Sequence, residues 1–207
     1  MPQLSLFEPA GSVLPDDEFG SFVYTPDWLP RLFADAWFDE LRQTIGWQAQ
    51  RRVMYDRELD VPRLTAHFDL AAGEPVPALL RDAGLRVSAA VGTVFNSVGL
   101  NRYRDGNDSV APHNDHLDEL ERGAPIALVS LGATRRMTLR RKGPKHRAFH
   151  ADLAAGSLLV MSYDTQLHYT HGIPKTTEAV GERISLAFRV KGPGDPGKQA
   201  ARRRQYR

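Results

Sequence analysis

The chain has 207 residues, enough for one domain with short tails and for a core that needs no covalent staples. Hydrophobic residues make up 42% and charged residues 25%, an ordinary globular composition; the absence of cysteine excludes disulfide scaffolds, thiolate zinc sites, iron–sulfur clusters and cysteine nucleophiles together. Net charge is only +2, yet residues 135–147 carry +7, residues 191–207 carry +5 and the remainder carries −10.

A metal in such a chain must be held by His, Asp or Glu. The segregated charge suits a polyanion such as nucleic acid, although a solvated hairpin and a frayed tail would look the same. No stretch approaches a membrane span, and no basic segment precedes an apolar one at the N-terminus. The expectation is a cytoplasmic monomer with no membrane partner.

Along the chain, residues 1–20 mix Pro, Gly, Ser and acids and read as a flexible leader, followed by a domain over 21–190 and a basic tail over 191–207. Thr25-Pro26-Asp27 offers a helix start, and Leu29, Leu32, Phe33, Ala36, Trp37 and Leu41 predict an amphipathic helix near 27–45. Pro75, Pro77 and Gly84 bracket a short helix, Ala78–Ala83. From there, Val91–Phe95, Ile126–Leu131, Met137–Arg140, Leu158–Met161 and Ile184–Val190 read as strands separated by turns. Many short strands without repeated helices predict a mainly β (α+β) chain with flanking helices, an antiparallel sandwich or a jelly roll.

Two patterns carry chemistry. His113-Asn114-Asp115 puts an imidazole and a carboxylate on one side of an extended segment, and with His171 they would form a two-His, one-carboxylate face. An isolated His-x-Asp is equally a loop histidine beside a solvated acid. In Arg183–Arg189, residues Arg183, Ser185, Ala187 and Arg189 share one face and Ile184, Leu186 and Phe188 the other. Two cations on one face suit a dicarboxylate, and they equally suit the surface of a half-buried strand.

The string Phe95–Asp115 resembles the core of the AlkB family of iron(II)/2-oxoglutarate dioxygenases, nearest to the branch containing the human nuclear DNA-repair homologues. Similar segments follow in family order at 61–66, 125–132, 156–161 and 171–189. The resemblance implies a double-stranded β-helix (jelly roll) using Fe(II), 2-oxoglutarate and O2. It implies oxidative demethylation of bases such as 1-methyladenine and 3-methylcytosine in DNA, with RNA left open, releasing succinate and formaldehyde. Competing readings are an oxygenase of a non-nucleic-acid substrate and a non-catalytic nucleic-acid-binding jelly roll.

Residue by residue, the resemblance implies that His113, Asp115 and His171 bind iron. It implies that Asn101, Tyr103 and Arg183 hold the distal carboxylate of 2-oxoglutarate, with Arg189 near its other end. His168, three residues before His171, lacks the following Gly-Ile-Pro. Tyr55 stands where the duplex-active homologue has an apolar wedge, and it could equally be core. His67 and Phe68 replace the relatives' Trp-Tyr, so that one faces the base. Arg135, Arg140, Arg141 and Lys142 fall where relatives grip phosphate. Three departures stand out, the first two bearing on base selectivity rather than iron chemistry and the third milder. Asp69–Pro75 lacks the family's aromatic lid, Leu117 stands where relatives have an acid, and Ser185 and Ala187 replace Asn and Thr.

The leader carries one more motif. Gln3-Leu4-Ser5-Leu6-Phe7 matches the peptide by which bacterial replication and repair proteins dock on the β sliding clamp, which makes the expected protein a bacterial member. An N-terminal strand laid on the domain's own surface is the alternative.

Overall fold

A computed structural model describes residues 14–54, 57–71, 75–143 and 147–192. The elements are β1 (Asp16–Asp17), β2 (Gly20–Thr25), α1 (Arg31–Thr44), β3 (Gln48–Met54), β4 (Arg57–Asp69), α2 (Ala78–Val91), β5 (Ser97–Tyr103) and β6 (Val110–His113). After a single 3-10 turn at Leu117–Glu119 come β7 (Ile126–Gly132), β8 (Arg135–Arg141), β9 (Ala148–Leu153), β10 (Leu158–Met161), α3 (Thr165–His168), β11 (Tyr169–Ile173) and β12 (Arg183–Arg189).

The strands form an eight-stranded sheet, β1-β2-β10-β7-β12-β5-β4-β3, and a four-stranded sheet, β6-β11-β8-β9. Every pairing is antiparallel. Met137, Leu139, Leu153 and Tyr169 of the small sheet pack with Ile126, Leu128, Leu159 and Tyr103 of the large one. The other face of the large sheet, through Val98, Leu100, Val129, Leu131, Ile184, Leu186 and Phe188, packs with α1 and α2. Strand β7 is therefore buried on both faces, which is why its sequence is a continuous apolar run. Burying each such large side chain contributes about 1.5–3 kcal/mol, so this central strand stabilises both layers.

The helices differ in their bounds from the periodicity. Pro26 does not open α1: Asp27 turns the chain with φ 51°, and the helix begins after Pro30, whose carbonyl accepts from Phe33 and Ala34. Ala34, Trp37 and Leu41 are the buried stripe. Helix α2 runs through Gly84 to Gly92, which ends it with a left-handed φ of 70°. Gly84 packs rather than breaks: a Cβ there would lie 3.1 Å from Leu70 Cδ1. Hence Val91–Phe95 is a helix end and a connection, not a strand, and the strand begins at Ser97.

The hairpin β3–β4 lies beyond the expected elements because charged residues such as Arg51, Arg52, Glu58 and Asp60 conceal any apolar alternation. The folded part also starts before residue 21. Leu14 packs on the core between the sheets, and Asp16–Asp17 pair with β2. Tyr55 and Gln3–Phe7 lie outside the described residues.

Candidate metal and cosubstrate site

Strand pairing brings the histidines together. His113 at the end of β6 and His171 in β11 are direct cross-strand partners, and their ring centroids are 4.4 Å apart. The register shifts between His171 and Ile173, around Gly172. A Cβ at Gly172 would lie 2.7 Å from Val110 O, so only glycine lets the two metal-bearing strands approach this closely. Asp115 completes the cluster, with ligand atoms of the three residues all within 4.8 Å of one another.

His113 and Asp115 are each oriented by a neighbour, and His171 is set by burial. His113 Nδ1 lies 3.0 Å from Ala111 O, and a carbonyl can only accept, so Nδ1 carries the proton and Nε2 offers its lone pair. His171 is 7% exposed, and burial, reinforced by His113 and Arg189, pushes its imidazole down to about 3 against the opposing pull of Asp115. It is neutral at physiological pH, the form that ligates. Burial alone would raise the Asp115 carboxyl, but the Arg189 guanidinium, donating from Nε and Nη2 at 2.9 and 3.2 Å, together with the histidines holds it below the usual range. Two neutral imidazoles and one carboxylate fit a divalent iron and leave positions open for further ligands.

A second polar group lies along the pairing of β5 with β12, the strand whose Arg189 holds Asp115. On β5 and β12, Tyr103 faces Arg183, Asn101 faces Ser185, Gly99 faces Ala187 and Ser97 faces Arg189. Arg183 is 1% exposed; its Nε donates to Ser130 Oγ at 2.8 Å, while Nη1 and Nη2 have no hydrogen-bond acceptor among the described residues, and burial lowers its pKa against a partial offset from Tyr103. The guanidinium stands 5.1 Å from the Tyr103 ring centroid. Leaving a cation buried with two free donor groups costs several kcal/mol unless an anion arrives, so this arrangement fits the carboxylate of 2-oxoglutarate. Asn101 Oδ1 accepts from Arg63 Nε at 2.7 Å, which leaves the amide NH2 as the donor that can face a ligand.

The sequence profile of the 2OG-Fe(II) oxygenase superfamily matches residues 21–189. The chain belongs to that superfamily. It is 40% identical over 122 residues to DNA oxidative demethylase ALKBH2 of Bos taurus, a match covering 56% of this chain and 43% of the relative. It is 31% identical over 182 residues to alpha-ketoglutarate-dependent dioxygenase alkB homolog 3 of Homo sapiens, covering 79% and 64%. The chain thus spans about half the length of the ALKBH2 relatives, which are covered to 43%, 46% and 50% in Bos taurus, Homo sapiens and Mus musculus. The solved structure of OsALKBH1 shares the fold, with a TM-score of 0.56 at 15% identity over 81% of this chain and 97% of that one.

Several residues of this chain stand elsewhere than expected. Arg135 is no phosphate ligand: it is 2% exposed and donates to the carbonyls of Asp105, Asp108 and Pro174, which locks two loops against Tyr103. Of the pair at 67–68, His67 faces Gly99 across the sheet and so shares the face of Asn101, whereas Phe68 packs on the opposite, helix-covered core and cannot face a base. His67 Nε2 pairs with Lys191 Nζ at 3.1 Å. His168 is outside the cluster and meets Phe19 edge-on. Arg141 lies over the Phe19 ring at 3.6 Å, Lys142 Nζ donates to Gln166 O and Leu167 O, and Arg140 is exposed.

Sequence reasoning missed Gln166 and Arg63, which hold Asp115 and Asn101 respectively. Arg63 carried a signal, since Val61–Ala66 belongs to the matching segments. Gln166 carried none, because a lone glutamine within a four-residue helix has no pattern of its own.

Proposed function

We propose that this chain is an iron(II)- and 2-oxoglutarate-dependent dioxygenase that oxidatively removes methyl groups from N-alkylated bases, of the 1-methyladenine and 3-methylcytosine type, in DNA. The observation that carries it is that one strand, β12, bears both the Arg189 that grips Asp115 of the His113–Asp115–His171 cluster and the buried Arg183 guanidinium, whose Nη1 and Nη2 have no acceptor among the described residues. Relatives named DNA oxidative demethylase support the substrate class.

In this proposal His113, through Nε2, and His171 hold the iron with Asp115, and Arg189 fixes the carboxylate by its two-point contact. Arg183, Asn101 and Tyr103 hold the distal carboxylate of 2-oxoglutarate. Bound iron supplies the activation of dioxygen that converts 2-oxoglutarate to succinate and CO2 while the N-methyl carbon is hydroxylated and leaves as formaldehyde. The protein's own part is to keep both imidazoles neutral, to keep Asp115 ionised and to neutralise the cosubstrate where water cannot. A base must leave its stack to reach the cluster, at a cost of a few kcal/mol that is least for damaged or unpaired bases. His67, Arg140 and, outside the described residues, Tyr55 are the side chains assigned here to the nucleic acid.

The test is succinate and formaldehyde release from methylated single- and double-stranded oligonucleotides, in DNA and RNA, with iron(II), ascorbate and 2-oxoglutarate. The expected result is equal amounts of both products, abolished in His113→Ala. Succinate without formaldehyde from any oligonucleotide would move the substrate outside nucleic acid. Oligonucleotide binding without either product would leave a non-catalytic jelly roll.

The same proposal places the protein at replicating DNA through Gln3-Leu4-Ser5-Leu6-Phe7 docked on a β sliding clamp, where tethering raises the local concentration without a new contact at the site. Calorimetric titration of a peptide spanning residues 1–12 against the clamp checks it, and equal affinity of a peptide carrying Leu6→Ala and Phe7→Ala would rule it out.

A further inference from the structure

Outside the ligands themselves, the site is supported by a buried amide that nothing in its chemistry requires to be there. Gln166 sits in α3, is 1% exposed, and its Oε1 accepts the backbone N–H of Asp115 at 2.9 Å. The direction of this amide is dictated by a chain of donors. Thr165 Oγ1 donates to Ser162 O at 2.7 Å, so toward Gln166 the hydroxyl oxygen can only accept; Gln166 Nε2 donates to it at 2.9 Å, and the carbonyl end is thereby turned to Asp115. Lys142 Nζ, donating to Gln166 O and Leu167 O at 3.0 Å each, anchors α3 to the end of β8. From the other side, a Cβ at Gly20 would lie 2.8 Å from Thr165 N, so β2 presses on the same short helix.

Asp115 lies in the irregular segment after β6, where no ladder of backbone hydrogen bonds fixes its position. Its side chain is tied to Arg189 on β12, and its backbone is tied to Gln166, five residues before His171 in sequence. We infer that Gln166 is a positioning residue of the metal centre: it sets where the Asp115 carboxylate stands relative to His171, by joining the backbone of one ligand to the helix that delivers the other. The inference rests on the metal site proposed above. It assigns to α3 and to Lys142 a part in metal binding, where the sequence pattern suggested phosphate.

Groups that orient metal ligands typically change metal affinity about 10- to 100-fold when removed. The experiment titrates Mn(II) as the probe into the full chain, followed by electron paramagnetic resonance, and records the Tm of each metal-free protein. Gln166→Met removes both hydrogen bonds at similar volume and should weaken Mn(II) about 10- to 100-fold. Gln166→Glu still offers Asp115 N–H an acceptor and should bind Mn(II) markedly more tightly than the methionine variant. A merely structural glutamine would lower Tm in both variants and leave Mn(II) affinity at the wild-type value, which would overturn the inference. Where Gln166→Met does not fold, Gln166→Asn, which keeps the amide but not its reach, replaces it under the same expectation of weaker binding. Wild-type protein that fails to bind Mn(II) would refute the proposed metal centre itself, a different outcome from equal binding by wild type and variant.

Discussion

Arg189 donates from Nε and Nη2 to both carboxylate oxygens of Asp115 across 74 residues of sequence. A guanidinium expected at the cosubstrate is thus engaged with the carboxylate of the proposed metal centre. Gly99 makes this possible, since a Cβ there would lie 3.3 Å from Arg189 Nη1. Arg189→Lys keeps the charge but not the planar fork. It should weaken divalent metal about tenfold and leave 2-oxoglutarate affinity of the metal-loaded protein less affected, while Arg189→Met should weaken metal further. Metal and cosubstrate titrations of both variants check this; equal metal affinity in all three proteins would refute the role.

Arg183 gives an unusual pairing of expectations. Removing it as Arg183→Met should cut 2-oxoglutarate affinity by roughly 10- to 100-fold, the worth of about 1.5–3 kcal/mol for hydrogen bonds to a charged group. The ligand-free protein should be no less stable, because an unpaired buried cation is replaced by an apolar side chain of comparable volume. Calorimetry with 2-oxoglutarate and urea unfolding without it measure the two effects, and a large loss of ligand-free stability would mean that the guanidinium is paired inside the protein.

Basic residues that looked alike in sequence should separate in experiment. Arg135→Ala should destabilise the fold by several kcal/mol, since three loop carbonyls lose their buried donor. Its effect on the salt dependence of oligonucleotide binding should be small. Arg140→Ala should leave Tm unchanged and reduce the slope of log K against log salt by about 0.9, the contribution of one phosphate contact on duplex DNA. Unfolding and binding at several salt concentrations decide between them.

Alkaline stability reports on the N-terminal edge. Burial, and then the hydrogen bond to Asp17, push the Tyr169 hydroxyl up from 10.0 to about 12. The folded state therefore holds this proton where the unfolded chain has released it. Its contribution is full below pH 10 and is lost as the pH rises from 10 through about 12. Tyr169→Phe should be less stable at pH 8 by roughly 1–3 kcal/mol and should fall less steeply between pH 10 and 11.5. Urea unfolding at those pH values measures it, and parallel curves for the two proteins would show that the hydroxyl does not titrate with folding.

What the sequence by itself determined is the set of strands whose apolar patterning survives alone. Leu158–Met161 stands at its expected bounds, and Ile126–Leu131 within one residue, because a strand buried on two faces is apolar throughout. The three residues that cluster were legible too, since His-Asn-Asp and His-Gly-Ile-Pro combine into a specific family pattern. The tertiary structure decided what depends on register. It made His113 and His171 neighbours, left Arg183 Nη1 and Nη2 without an acceptor among the described residues, and gave Asp115 both Arg189 and Gln166. It also took Arg135 inside and turned Phe68 away from the site. Whether an arginine is buried or exposed depends on which carbonyls the fold brings to it, and no local pattern encodes a partner that arrives from a distant strand.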